Sequence, residues 1–451
     1  METSRLGSRI RDVLRQGGTR HGTGVPPPAV PAASDVAATL DALGGTWQDA
    51  DDAQGAGGEA CLVVEREYPA DGRHGHDAVG EYARLTGELA GHVGVLAGHP
   101  DQPVRPPLLF FDLETTGLSG GAGTQAFLVG CGFFDGSVFR TRQFFLTSYA
   151  AERRLLLSVA AQLAGAGVLV TFNGKTFDLP VIETRYLFHR LAVPSADLPH
   201  LDMLHPARRM WRGARADGDD ADGDAEARSG CTLGALERAV LGFRRTGDVP
   251  GSEIPARYFH YVRTGEARPL VPVFEHNRLD LLSLAGLTVR GLRLLEGGPA
   301  TAGSPRECLA LGRMYERLAR RDEAADAYER AAGWPGSEDE TALVRVEALR
   351  RLATLHRRER RHAQAASLWE ALIDDEACPP AVAREAAEAL AVHHEHRSHD
   401  LLAARRYARR CLTHAGTRAE QQARKRLARV ERKLDERTPA TVGGLLASDG
   451  G

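Results

Sequence analysis

The chain has 451 residues, 43% of them hydrophobic and 26% charged. That leaves room for about two or three domains with full cores in an ordinary soluble composition. No run approaches the ~20 apolar residues of a membrane span, and Met1 to Gly18 lacks the apolar core and cleavage site of a secretory signal. A cytoplasmic protein without membrane contact is expected. The net charge of −3 argues neither for nor against nucleic acid. Six cysteines stand singly with no C-x-x-C, so neither a zinc site nor a disulfide framework is indicated.

Residues 1–58 read as a mostly disordered segment: a short helix over Ser4 to Gln16, Gly- and Pro-rich sequence through Pro26-Pro27-Pro28, and an Asp/Gly-rich stretch from Asp49 to Gly58. Alternating apolar residues predict a strand over Ala60 to Glu67, and helical spacing predicts one helix over Ala78 to Leu96. His74-Gly75-His76 between them reads as loop.

The stretch Leu108-Leu109-Phe110-Phe111-Asp112-Leu113-Glu114-Thr115-Thr116-Gly117-Leu118 organises the rest. It is an apolar strand with two acids near its end. Alternation puts Asp112 and Glu114 on one face, with Phe111 and Leu113 on the other. Buried carboxylates need a compensating cation, and a divalent metal is the obvious candidate.

Two strands follow, Ala126 to Phe134 and Ser137 to Leu146, joined at Asp135-Gly136 in a hairpin signal. A helix over Ala151 to Leu163 and an apolar strand over Val168 to Phe172 complete the pattern of an α/β fold with a mixed sheet. Asp178 then stands at a helix start, where a helix cap and a metal ligand are both compatible with the local sequence. Asp202 is either an acid close to the site or a surface partner of Arg208 or Arg209. Residues 215–228 form an Asp/Gly-rich acidic insertion that does not match a calcium loop. Thr232 is placed to cap a helix. The aromatics of Asp248 to Tyr261, beside Arg257 and Arg263, are either core or a stacking surface for bases. His276 and Asp280, four apart, share one face of a helix, as a general base and a metal carboxylate require.

The string D-x-E-T-T-G-L from Asp112 to Leu118 resembles the first motif of the DEDD 3′-to-5′ exonucleases of the ribonuclease-H-like superfamily. Asn173 to Asp178 resembles the second motif, and Glu275-His276-Asn277-Arg278-Leu279-Asp280 the third. The resemblance implies an α/β ribonuclease-H-like domain over 59–297, a mixed sheet flanked by helices. It also implies that Asp112, Glu114, Asp178 and Asp280 hold two divalent cations, Mg²⁺ or Mn²⁺, and that His276 is the general base. Thr115, Asn173, Lys175 and Asn277 become candidate substrate-binding residues and Asp202 a candidate supporting acid. The substrate implied is single-stranded RNA or DNA. The pattern departs from both branches of the family, because a His stands at the spacing usual for Tyr. Taken with Val63 to Pro69, the motif order looks most like the YprB-type ribonuclease-H-like domain.

Residues 304–437 carry only helix signals, and 438–451 read as a flexible tail. Tyr315, Ala324 and Tyr328 recur as His356, Ala365 and Trp369 and again as His394, Ala403 and Tyr407, in a pattern similar to tetratricopeptide repeats. An all-α solenoid of three hairpins and a closing helix over Thr417 to Arg437 is expected. It would offer a concave surface to a protein partner, while Arg317, Arg320 and Arg321 with Arg357, Arg358, Arg360 and Arg361 either guide nucleic acid or form solvated faces. Two rivals to an exonuclease stand: a binding scaffold with a weak or inactive nuclease pocket, and a structure-selective endonuclease.

Overall fold

The computed structural model describes residues 45–48, 61–102, 104–117, 123–212, 231–336, 339–412 and 417–437. The expected helix over Ser4 to Gln16, the acidic insertion at 215–228 and the tail at 438–451 lie outside them.

Seven strands form one mixed sheet. They are β1 (Gly45–Gln48), β2 (Cys61–Tyr68), β5 (Leu108–Thr115), β6 (Ala126–Asp135), β7 (Val138–Phe145), β8 (Val168–Thr171) and β9 (His200–Asp202). Their order is β1-β2-β7-β6-β5-β8-β9. The first five pair antiparallel, and β5-β8-β9 run parallel. Gly136, with φ of 59°, makes the tight β6–β7 turn that Asp135-Gly136 announces. β1 extends the sheet into the segment read as mostly disordered, because four residues there add an edge to the buried strand β2.

Two further expectations change. Gly75-His76 is the turn of a small hairpin, β3 (Arg73–His74) and β4 (Asp77–Ala78), and His74, read as loop, lies in β3, buried against Phe243 with its Nε2 2.8 Å from Ser283 Oγ. The single helix expected over Ala78 to Leu96 is two, α1 (Val79–Glu88) and α2 (Val93–Ala97), separated by a 3-10 turn at Ala90–His92. The turn lets Tyr82, Leu85, Val93 and Leu96 all reach one core.

The remaining helices are α3 (Glu152–Ala164), α4 (Asp178–Phe188), α5 (Leu204–Met210), α6 (Leu233–Leu236), α7 (Ile254–Thr264) and α8 (Val271–Gly297), followed by α9 (Pro305–Arg317), α10 (Arg321–Ala332), α11 (Asp339–Arg358), α12 (His362–Ile373), α13 (Pro380–His396), α14 (Leu401–Arg410) and α15 (Thr417–Arg437). Thr232 caps α6 as expected, its Oγ1 accepting from Ala235 N–H. Alternation along β5 divides the core. Leu108 and Phe110 pack with α1 and α8, whereas Leu109, Phe111 and Leu113 pack with α3, α4 and α7. Asp112 shares the face of Phe110, and α8 comes to meet it.

The core on the α8 face runs on without interruption into α9, α10 and α11. Trp211 Nε1 donates to Glu307 at 2.7 Å and Tyr315 Oη to the carbonyl of Leu295 at 3.2 Å across the same seam. In the helical region the turns α9–α10, α11–α12 and α13–α14 each hold one non-glycine residue in the left-handed region: Ala319 (φ 57°), Arg360 (φ 64°) and His399 (φ 56°). Tyr328, Trp369 and Tyr407 are buried at corresponding places. Among the described residues no helix is long and apolar enough to cross a membrane.

Candidate active site

The functional side chains come from three elements, β5, α4 and α8, and they meet at the C-terminal end of β5. Asp112 and Glu114 project from the strand, whose register shifts between Glu114 and Thr115. Such irregularities re-aim side chains at sheet ends. Asp178 opens α4. His276 and Asp280 lie one turn apart on α8, with His276 Nε2 3.5 Å from Asp280 Oδ2. Asp112, Glu114, Asp178, His276 and Asp280 line one cleft of about 530 Å³, together with Thr115, Phe177 and Gly251.

Electrostatics set this cleft apart. Burial pushes the Asp112 carboxyl well above the usual range, and the charges of Asp280, Glu114 and Asp178 push it further. Glu114 rises for the same reasons, burial first and then Asp280 and Asp178. Burial, aided by Asp202 and Asp280, lifts Asp178 to about 7. Negative groups crowded out of water in this way need cations. One atom each from Glu114, His276 and Asp280 lies within 4.8 Å of the others, a spacing one ion can bridge. Oxygen donors with one imidazole fit a hard divalent cation.

The other expected residues divide. Thr115 lines the cleft mouth, its Oγ1 donating to the carbonyl of Gly117. Lys175 is exposed on the turn between β8 and α4, which Asn173 enters with φ of 66°, a conformation Asn tolerates better than most residues. Asn277 is corrected: expected at the substrate, it is fully buried. Its Nδ2 donates to Asp112 Oδ2 at 2.7 Å, and its Oδ1 accepts from Gln143 at 2.8 Å, so it acts behind Asp112. Asp202 is buried and pairs with neither Arg208 nor Arg209. It accepts the backbone N–H groups of Asn173 (2.7 Å), Lys175 (3.1 Å) and Leu204 (3.1 Å), which fixes the turn that delivers Asp178. Of the aromatics in 248–261, Tyr258 and Tyr261 are core, their hydroxyls donating to the carbonyls of Leu146 and Thr147, while Phe259 is exposed.

Sequence reading missed Arg245, Asp248 and Glu237. A π-helical turn over Glu237–Leu241 follows α6 and buries Glu237, which receives Arg245 Nε at 2.8 Å. Such turns recur at functional sites. The same guanidinium bonds Asp280, and its Nη1 lies 3.3 Å from Asp248 Oδ2. Burial alone would lower Arg245, but Glu237 and Asp280 outweigh it and hold the charge firmly in place. His276 Nδ1 is 2.6 Å from Asp248 Oδ1. A Glu in the first turns of the helix predicted after Thr232 was the available signal for Glu237; nothing local marks the other two.

A family model described as RNase_H superfamily matches residues 109–290, the span from the start of β5 to the C-terminal third of α8. A match to this superfamily points to a nuclease. The chain is also 29% identical over 385 residues to a protein named "Uncharacterized protein YprB" from Bacillus subtilis (strain 168), covering 83% of this chain and 86% of that one. The likeness to that protein therefore extends past residues 109–290 into the helical region.

Proposed function

We propose that the protein is a metal-dependent 3′-to-5′ exonuclease of the DEDD type, acting on single-stranded RNA or DNA. Asp112, Glu114, Asp178 and Asp280 are the metal-holding carboxylates and His276 is the general base. The observation that carries this reading is the convergence of four acids and a histidine on one cleft, with Asp112, Glu114 and Asp178 forced upward in pKa by burial and mutual repulsion. Two Mg²⁺ or Mn²⁺ ions suit the donor set, and such ions when bound polarise the scissile phosphate and stabilise charge on the leaving oxygen.

The chain's own residues supply the rest. His276 accepts a proton from the attacking water as the water oxygen bonds to phosphorus and the bond to the 3′ oxygen of the preceding nucleotide breaks. That 3′ oxygen takes a proton from solvent, leaving a shortened strand and a 5′ mononucleotide. Lys175, exposed beside the cleft, supplies positive charge to a phosphate, and Thr115 and Asn173 flank the terminal sugar.

The helices from α9 to α15 are, on this reading, tetratricopeptide-like hairpins that take a protein partner. The three matching left-handed turns support the repeat. Of the seven arginines in the two clusters, Arg320, Arg358 and Arg361 are paired, with Glu323 at 2.9 Å, Glu316 at 2.8 Å and Glu359 at 3.4 Å, which lowers the positive charge these faces offer a nucleic acid.

The test compares linear 5′-labelled oligonucleotides with circular single strands under Mg²⁺ or Mn²⁺. An exonuclease shortens the linear strand from its 3′ end and leaves the circle intact. Cutting of the circle would make the protein an endonuclease, and stable binding without products would make it a scaffold.

A further inference from the structure

A histidine acts as a base only through the ring nitrogen that lacks a proton, so the partner of the other nitrogen decides whether it can act. In this protein that partner is a residue outside all three motifs. His276 Nδ1 lies 2.6 Å from Asp248 Oδ1, while Nε2 faces the carboxylate cluster, 3.5 Å from Asp280 Oδ2. Two acceptors do not approach to 2.6 Å, so a proton lies between Nδ1 and the carboxylate. The rival donor to Nδ1 is Arg245 Nη1, but its contact is longer, at 3.3 Å, and Arg245 already bonds Glu237, Asp280 and Asp248.

Asp248 is itself held. Its Oδ2 accepts from Arg245 at 3.3 Å, and its Oδ1 accepts from the backbone N–H of Val249 at 2.9 Å. Arg245 is anchored in turn by buried Glu237, so the loop after the π-helical turn delivers a carboxylate to His276 from a fixed direction. We propose that Asp248 is the positioning residue for His276, fixing the ring as the Nδ1–H tautomer with the Nε2 lone pair aimed into the site. The pair extends the DEDD set by a His–Asp dyad, and its kinetic consequence rests on the nuclease reading above.

Asp248→Asn and Asp248→Ala separate positioning from mere support. An Asn amide can donate to Nδ1 and hold the wrong tautomer, whereas Ala leaves the ring free to sample both. If Asp248 positions the ring, Asn is the more damaging change: kcat falls about 100-fold for Asn and about 10-fold for Ala, with KM unchanged. A purely structural carboxylate gives the reverse order, because Asn is nearly isosteric. The decisive readout needs no activity. In ¹⁵N-histidine NMR of the full chain in alkaline buffer, with the His276 signal assigned by its loss in His276→Ala, the wild type shows Nδ1–H and Asp248→Asn shows Nε2–H. An Nε2–H ring in the wild type, or a tautomer unmoved by Asp248→Asn, overturns the proposal. If the wild type cleaves no nucleic acid, the nuclease reading fails while the tautomer still decides the dyad.

Discussion

Asn277 reaches from α8 to Asp112 on β5, its Nδ2 2.7 Å from the carboxylate oxygen, and it is the only direct hydrogen bond to that carboxylate among the described residues. The amide oxygen accepts from Gln143 on β7, so one side chain ties the helix of the third motif to two strands of the sheet. Asn277→Ala strands Gln143 and Asp112 together. The expected cost is about 1–3 kcal/mol in denaturant unfolding. Asn277→Asp is worse, since it adds a carboxylate beside one that already sits out of water. Equal stability of Asn277→Asp and wild type would contradict this role.

Gly130 is the companion prediction. A Cβ built there would lie 2.3 Å from Asn277 Oδ1, so β6 must carry a glycine where α8 crosses it. Gly130→Ala should cost about 1–3 kcal/mol through overpacking. In an Asn277→Ala background the same change should cost less, and a double-mutant cycle in urea measures the difference. Additive costs would mean that the two residues do not share the space.

The carboxylate cluster makes the metal-free protein sensitive to pH. Asp112, Glu114 and Asp178 all have raised pKa values when folded, so the native state binds protons that the unfolded chain has lost. The contribution of Asp178 to stability is therefore greatest at low pH and is lost as pH rises toward its value of about 7, and the contributions of Asp112 and Glu114, raised well above the usual carboxylate range, are lost in the same direction. In EDTA, the melting temperature should rise on acidification from pH about 7 to about 5.5. Added Mn²⁺ should raise it most above that window.

Asp202 gives a prediction about the turn. Three backbone N–H groups, of Asn173, Lys175 and Leu204, lose their acceptor in Asp202→Ala, for a cost of about 2 kcal/mol. Hydrogen exchange should report faster opening at 173–178, and metal affinity should fall by about 10-fold as Asp178 loosens. Unchanged exchange there would remove Asp202 from its supporting role.

Much of the framework was legible because it is local. An apolar run with acids two apart, a hairpin at Asp135-Gly136 and a His–Asp pair four apart on a helix are period-2 and period-3.6 signals, and the strands and helix follow them. Asp202 was expected as a supporting acid but without its three backbone partners, and Asn277 was expected at the substrate rather than behind Asp112, since burial and hydrogen-bond partners depend on elements far away in sequence. Arg245 and Asp248 escaped for the same reason: the short loop that carries them has no periodicity, and its meaning arises only where it meets α8. The helix expected over 78–96 broke because its apolar positions serve one core from two directions, which a single helix axis cannot satisfy.

The measurement that tests the central claim most directly is incubation of wild-type and Asp112→Asn protein with 5′-labelled single-stranded RNA and DNA in Mn²⁺, Mg²⁺ or EDTA. Asp112→Asn keeps an acceptor for Asn277 and removes one crowded charge, so the fold is expected to persist in EDTA with a melting temperature at or above that of the wild type. The account predicts metal-dependent shortening by the wild type, none in EDTA and none by the folded variant. Cleavage by Asp112→Asn at the wild-type rate would contradict it.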